Sequence, residues 1–72
     1  MRMLRIRYYR EKAGMSREEL AEKVGISRET LFDYEMGYRS PPLSTFAEIA
    51  EALGVSMTDL LREGTLPDDV QQ

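Results

Sequence analysis

The fold is decided by residues 15–37, which read MSREELAEKVGISRETLFDYEMG. Two stretches whose apolar residues recur at helical spacing are joined here by only Gly25, Ile26 and Ser27. Glycine adopts the left-handed conformation that ends many helices, and serine accepts hydrogen bonds from the free N–H groups at a helix start. So short a connection crosses two helices at a steep angle. The sequence therefore predicts a helix-turn-helix with helices over 17–24 and 28–36.

The same start signal occurs three times along the chain: a glycine, an apolar residue, a serine, and a leucine four residues after the serine. The three serines are Ser16, Ser27 and Ser56. Glu19 and Asp59 stand three residues after the first and third serines, where an acidic side chain can close a capping box. Together with the glycines, these signals predict an all-α fold of five helices. The predicted helices are about 3–13, 17–24, 28–36, 43–53 and 57–63.

These helices are predicted to form one domain over 1–64, followed by a flexible tail over 65–72. The inner faces of the helices predict the core: Ile6, Tyr9, Ala13, Met15, Leu20, Ala21, Val24, Ile26, Leu31, Tyr34, Leu43, Phe46, Ile49, Ala50, Leu53, Val55, Leu60 and Leu61. Late apolar residues beyond what the core needs predict the surface of a weak homodimer: Met57, Leu61, Leu66 and Val70.

Composition excludes several classes of protein. The chain has 72 residues, with no cysteine and no histidine. It is too short for a second domain, and it lacks thiolate metal ligands and the commonest general base. No apolar run reaches the length of a membrane span, and no glycine loop of the kind that cradles phosphates is present. We therefore expect a cytoplasmic protein that is not an enzyme, with no cofactor, no metal and no membrane partner.

The charge is distributed unevenly along the chain. Net charge is −3, yet residues 1–12 carry five basic groups and one acidic group, whereas residues 41–72 carry one basic and six acidic groups. Nucleic-acid binders usually show a local basic footprint. The basic first helix can approach a DNA backbone, or it can serve the solubility of the domain alone, and the second interpretation is slightly favoured.

Four stretches, in this order and at this spacing, resemble the Cro/repressor-like (XRE) helix-turn-helix family: residues 15–21, 24–31, 35–37 and 49–55. The resemblance covers residues 4–62, about four-fifths of the chain. It implies an all-α, five-helix lambda-repressor-like bundle with its helix-turn-helix at helices 2–3, which places its third helix in the major groove of DNA. The implied function is that of a sequence-specific DNA-binding transcriptional regulator of the repressor type. The implied partner is double-stranded DNA, read at a two-fold symmetric operator by a weak homodimer.

The resemblance also implies roles for particular residues. Base-edge contacts fall to the outer face of the third helix, at Arg28, Glu29, Phe32 and Asp33. Phosphate contacts fall to the starts of the second and third helices and to the loop after the third, at Arg17, Ser27, Tyr38, Arg39 and Ser40. The family pairs an arginine and a glutamate between helices one and three, which here correspond to Arg10 and Glu35.

Two residues depart from the family pattern, and they leave alternatives open. Arg17 stands where the family usually has glutamine, and Asp33 stands where it usually has a polar or basic residue. Arg28 can read a base or act as a surface partner of Glu29 or Phe32. Phe32 is large and apolar for a solvent-facing position. It can contact a thymine methyl group, or it can lie at the centre of a protein-binding patch.

The second of these alternatives predicts a different function. In that interpretation the chain is a protein-interaction module, as in an antitoxin or an anti-repressor. The face formed by Glu29, Phe32 and Asp33, joined by Met36, would then bind a partner protein instead of DNA. The acidic side chains of Glu29 and Asp33 repel DNA phosphates, which favours binding of a protein partner.

Overall fold

The computed structural model describes residues 4–61. Within that range the chain forms five α-helices and no strand: α1 (Ile6–Lys12), α2 (Arg17–Val24), α3 (Arg28–Met36), α4 (Leu43–Leu53) and α5 (Met57–Leu60). The predicted all-α, five-helix class is confirmed. The predicted bounds of α2, α3 and α4 agree with the structure.

The first and last helices differ from their predicted bounds. α1 begins at Ile6 rather than at about residue 3, with Arg5 as its N-cap, and the N–H of Arg5 donates to the carbonyl of Leu60 at 3.1 Å. Ala13 adopts a helix-like conformation but only caps α1. α5 ends at Leu60, and Leu61 lies in a turn. The rest of the predicted fifth helix, the domain boundary at 64 and the tail over 65–72 lie outside the described residues.

The predicted capping boxes are present. The hydroxyl of Ser16 accepts from the N–H of Glu19 at 3.0 Å, and the Glu19 carboxylate accepts from the N–H of Ser16 at 2.7 Å. Ser56 and Asp59 form the same reciprocal pair, at 3.0 and 3.2 Å. Each box satisfies two backbone donors that would otherwise lack a partner at the start of a helix. The chain therefore sets the starts of α2 and α5 with local contacts alone.

The core lies where the five helices meet, and all nine of its buried hydrophobic residues in the described part of the chain were predicted. They are Ile6, Leu20, Ala21, Leu31, Tyr34, Phe46, Ile49, Ala50 and Leu60. Six further predicted residues are partly buried against this core: Tyr9, Met15, Val24, Ile26, Leu53 and Val55. Helical spacing therefore identified the buried face of every helix.

Three predicted core residues are exposed, and those predictions were wrong. Ala13, Leu43 and Leu61 all lie at helix ends. Leu43 shares a face with Phe46 but is 72% exposed, because it occupies the first turn of α4 beyond the reach of the packed helices. Leu61 is 54% exposed just past α5. Helical periodicity describes which way a side chain points but not whether another helix covers it.

The packing order leaves one face of α3 uncovered. α2 packs on both α3 and α4, and α1 also packs on these two helices. The inward side of α3 is therefore buried, while its opposite side faces solvent. None of the helices within residues 4–61 has the length and apolar character required to cross a lipid bilayer.

Candidate nucleic-acid interface

The helix-turn-helix is built by the connection between α2 and α3. Gly25 ends α2 with φ +82°, and the N–H groups of Gly25 and Ile26 both donate to the carbonyl of Ala21, at 2.8 and 3.0 Å. Ser27 then begins α3: its hydroxyl accepts from the N–H of Thr30 at 3.0 Å and donates to the Thr30 hydroxyl at 2.8 Å. Ser27 is thus both the helix cap and an exposed residue at the start of α3, where phosphate contact was predicted.

The four predicted base-reading residues lie on the uncovered side of α3. Arg28, Glu29 and Phe32 are exposed, and Asp33 is partly exposed. An α-helix is about 10–12 Å across with its side chains, so a major groove about 12 Å wide admits it. The structure therefore presents these side chains together, on an element of suitable size.

Arg28 is held by a residue that sequence reasoning missed. Its Nη1 donates to Glu18 Oε2 at 2.9 Å, and its Nη2 lies 3.8 Å from Glu29 Oε2. Glu18 lies on α2, so this contact joins the two helices of the motif. Two hydrogen-bond donors hold the pKa of the Glu18 carboxyl below its ordinary value. The larger effect comes from the backbone N–H of Glu18 itself, and the next from the Arg28 guanidinium. Both side chains are more than half exposed, so the pair is weak enough to exchange for another partner.

Asp33 ties the loop after α3 to the helix. Its carboxylate lies 3.6 Å from Nη1 of Arg39, and its carbonyl accepts from the N–H groups of Tyr38 and Arg39 at 2.9 and 3.3 Å. The Arg39 guanidinium also lies over the ring of Tyr34, at 5.8 Å. The predicted phosphate-binding residues Tyr38, Arg39 and Ser40 are all exposed in this loop. The loop therefore holds a fixed position at the C-terminal end of α3.

Phe32 packs between side chains from two different segments. The guanidinium carbon of Arg17 lies 5.1 Å from the centre of the Phe32 ring. On another side the Tyr38 ring lies 6.1 Å away in an edge-to-face arrangement, with an interplanar angle of 65°. Arg17, Arg28, Glu29 and Phe32 line a shallow open pocket of about 310 Å³ between the start of α2 and the outer face of α3.

The pair predicted between Arg10 and Glu35 is present, and it has a third member. Arg10 Nε donates to Glu35 Oε2 at 2.6 Å, and its Nη2 donates to Oε1 at 3.3 Å. Arg17 Nε also donates to Glu35 Oε1, at 3.0 Å. Glu35 is 1% exposed, so this carboxylate carries two guanidinium partners in the interior. The sequence signal for the third member was the arginine at a position where the resembled family has glutamine.

This network directs the side chain of Arg17 towards the interior, although a phosphate contact was predicted for it. A phosphate contact was predicted there because N–H groups and the helix dipole attract anions at a helix start. The structure places Arg17 as the first residue of α2, but its Nε is directed inward to Glu35, and its side chain is only 28% exposed. Arg17 therefore joins the buried network to the exposed face of α3.

Comparison with known proteins identifies the family. The model of the helix-turn-helix family matches residues 6–60. An HTH-type transcriptional regulator of Archaeoglobus fulgidus is 45% identical over 56 residues, which are 78% of this chain and 80% of that protein. The chain belongs to the helix-turn-helix family, as the sequence resemblance implied.

Solved structures agree in fold. NHTF, a hypothetical transcription factor from Neisseria, superposes with a TM-score of 0.73 at 36% identity, over 78% of this chain and 63% of that one. SinR, the Bacillus subtilis master regulator of biofilm formation, was solved in complex with DNA. It superposes with a TM-score of 0.74 at 34% identity, over 79% of this chain and 92% of that one. SinR has also been solved in complex with the protein SinI.

Proposed function

We propose that this protein is a sequence-specific DNA-binding transcriptional regulator of the repressor type, with α3 in the major groove. One observation carries the proposal: the uncovered face of α3 presents Arg28, Glu29 and Phe32 together, beside a loop that exposes Arg39. Base edges in the major groove are read by such hydrogen-bonding and apolar side chains, whereas phosphates are bound by cations and hydroxyls on either side. SinR, whose structure with DNA is similar in fold, supports this assignment.

The proposed roles divide the interface into two kinds of contact. Arg28 reads guanine through O6 and N7, while Glu29 and Asp33 accept from the N4 amino group of cytosine. Phe32 makes an apolar base contact. The phosphate backbone is bound by Arg17 and Ser27 at one end of α3 and by the loop residues Tyr38, Arg39 and Ser40 at the other.

We further propose a binding protein without catalytic activity, which acts in the cytoplasm on double-stranded DNA. One helix-turn-helix covers few base pairs, so a two-fold symmetric operator read by a weak homodimer supplies the missing specificity. Half-sites of such an operator lie about 34 Å apart, one turn of DNA. The charge of −3 means that bulk electrostatic attraction to DNA is small, so specificity depends on the contacts of the α3 face.

Selection of duplexes from a random pool, at low and at moderate salt, tests this function. We expect enrichment of one two-fold symmetric site. The double variant Arg28→Ala/Arg39→Ala should lose that enrichment. Lys23→Ala is the matched control: it also removes a cation from the motif, but Lys23 lies beside Glu48 and Glu51 of α4, away from the α3 face. Enrichment that survives the double variant contradicts the proposed interface.

A second function is the binding of a protein partner through the same face. It is favoured because the arginines of this face are already paired with carboxylates. Arg28 is matched by Glu18, and Arg39 is matched by Asp33, so no unpaired positive patch stands at either residue. Phe32 and Tyr38 add exposed aromatic surface, which is typical of protein interfaces. The complex of SinR with SinI shows that a regulator similar to this chain binds a protein. Failure to enrich any DNA site at both salts would favour this function over the first.

A further inference from the structure

The aromatic ring of Phe32 is the large apolar group among the charged residues of the α3 face, and it is restrained. Its exposed fraction is 38%. The Arg17 guanidinium lies at 5.1 Å on one side and the Tyr38 ring at 6.1 Å on another. Cation–π and edge-to-face contacts at these distances are attractive. The ring therefore presents a fixed apolar surface, and little side-chain entropy is lost when that surface is covered.

The restraint on Phe32 begins in the interior of the domain. Arg10 binds Glu35 through two hydrogen bonds, and Glu35 in turn accepts from Nε of Arg17 at 3.0 Å. Because Glu35 is fully buried, this hydrogen bond anchors the Arg17 guanidinium to a carboxylate in the interior of the domain. Arg17 thus links the buried carboxylate of Glu35 to the exposed ring of Phe32, whose centre lies 5.1 Å from the guanidinium carbon.

In the major groove, the group that suits contact with an apolar ring is the 5-methyl group of a pyrimidine. Most groups on the base edges there are hydrogen-bond donors and acceptors, and covering one of them with an apolar ring leaves it unsatisfied, which costs free energy. The C5-methyl group of thymine is apolar, and cytosine lacks it. An apolar ring in the groove therefore favours thymine, and it also accepts a cytosine that carries a 5-methyl group.

We propose that Phe32 reads the 5-methyl group of a pyrimidine, and that Arg17 is a positioning residue that holds the ring through Glu35. This inference rests on the proposed DNA-binding function and deepens it by naming the chemical group that is read. Arg17 keeps its proposed place next to the phosphate backbone, but its distinctive work is to orient Phe32.

Deoxyuridine substitution removes the thymine methyl group and nothing else. In the selected site, each thymine is replaced singly by deoxyuridine, and Kd is measured by titration. At one thymine per half-site we expect affinity to fall about fourfold, the worth of one buried methyl group. If that pair is changed to C·G, methylation of the cytosine at C5 should recover about the same factor.

Variants separate reading from general binding. Phe32→Ala should bind the thymine and deoxyuridine duplexes equally, whereas Phe32→Leu should retain part of the difference and guards against loss of folding in the alanine variant. Arg17→Lys keeps the charge but loses the planar group over the ring, so the thymine-to-uracil ratio should fall below twofold. Arg7→Lys is the matched control, because it makes the same exchange at an arginine on the exposed side of α1, outside the proposed interface. It should leave the ratio unchanged.

The outcomes distinguish this inference from the function on which it rests. A specific site that binds equally well with deoxyuridine at every position overturns the methyl reading and leaves DNA binding intact. A ratio that survives both Phe32 variants assigns the methyl contact to another residue and also overturns it. A ratio unchanged in Arg17→Lys overturns the positioning role of Arg17. Absence of any selected site overturns the proposed function and this inference together.

Discussion

At Glu35 a carboxylate that is 1% exposed accepts hydrogen bonds from arginines at two places in the fold, Arg10 on α1 and Arg17 on α2. A buried charge is costly unless it is paired and its lone pairs are satisfied. Arg10 satisfies a further group, because its Nη1 donates to the carbonyl of Met15 at 2.9 Å. This residue-scale network joins α1, α2 and α3, and its loss affects both the stability of the domain and the orientation of the α3 face.

Arg10→Met is expected to destabilise the domain by about 3 kcal/mol, near the lower end of the range for breaking one side of a buried pair, because Arg17 still partners Glu35. Thermal and urea unfolding measure this effect. Arg7→Met is the matched control: Arg7 pairs with Glu11 at 3.0 Å on the exposed side of α1, and both side chains are more than half exposed. That change should alter stability by less than about 1 kcal/mol. Equal effects of the two variants would contradict the assigned role of Arg10.

Arg28 and Arg39 carry the same charge but are expected to do different work. Arg28→Ala should cost about 1–3 kcal/mol on the selected site and blur discrimination at one base pair. Arg39→Ala should weaken all sequences nearly equally and lower the slope of affinity against salt by about one. Affinities for the selected site and for single-base variants, measured across a salt series, separate the two. The same loss from Arg28→Ala on every sequence would make Arg28 an electrostatic anchor only.

At the scale of the elements, local sequence signals mark three helix starts and three helix ends in the described part of the chain. Serine caps begin α2, α3 and α5, and glycines in the left-handed conformation end α2, α3 and α4. The turn between α2 and α3 has both kinds of signal within three residues: Gly25 ends α2 and Ser27 begins α3. Its geometry sets the angle at which α3 leaves the body of the domain.

Gly25→Ala is expected to destabilise the domain by about 1–2 kcal/mol, because a residue with a Cβ pays a penalty in the left-handed conformation. A Cβ added at Gly25 meets no atom within 4 Å, so the cost arises from the backbone and not from a clash. Gly25→Asn should cost less, since asparagine tolerates this conformation better. Urea unfolding of the two variants provides the measurement. If asparagine costs as much as alanine, the backbone explanation is wrong.

At the scale of the whole molecule, Leu61 is the member of the predicted dimer surface that is exposed among the described residues. Leu61 is 54% exposed beyond α5, whereas Met57 is partly buried against the core, and so contributes less than predicted. The other predicted members of the dimer surface, Leu66 and Val70, lie outside the described residues. The proposed dimer thus rests on Leu61 and on the two-fold symmetry expected of the operator.

Sedimentation should therefore detect mostly monomer for the free protein and a complex of two chains on one full operator. Binding of two chains to adjacent half-sites increases the effective concentration of each for the other, which strengthens a weak contact. A duplex of the same length with one half-site scrambled is the control, and it should bind one chain. A strict one-to-one complex on the intact operator would exclude the dimer.

Sequence alone was sufficient for the class of fold, the bounds of three helices, both capping boxes and the pairing of Arg10 with Glu35. Caps and helical faces could be predicted because they depend on residues within one or two turns of each other, and the ion pair followed from the family resemblance. The placement of the α3 face was likewise predictable, since the buried positions of α3 leave its other side to solvent.

Tertiary structure alone decided which side chains at helix ends are covered and which charges meet. Leu43 has the spacing of a core residue, yet the packed helices do not reach the first turn of α4. Glu18 meets Arg28, and Arg17 meets both Glu35 and Phe32, across separations of ten to eighteen residues that no local pattern encodes. These contacts depend on the angle between α2 and α3. That angle is determined jointly by the turn and by the packing of α2 on α4 and of α3 on α1, and it therefore exists only once the whole domain has formed.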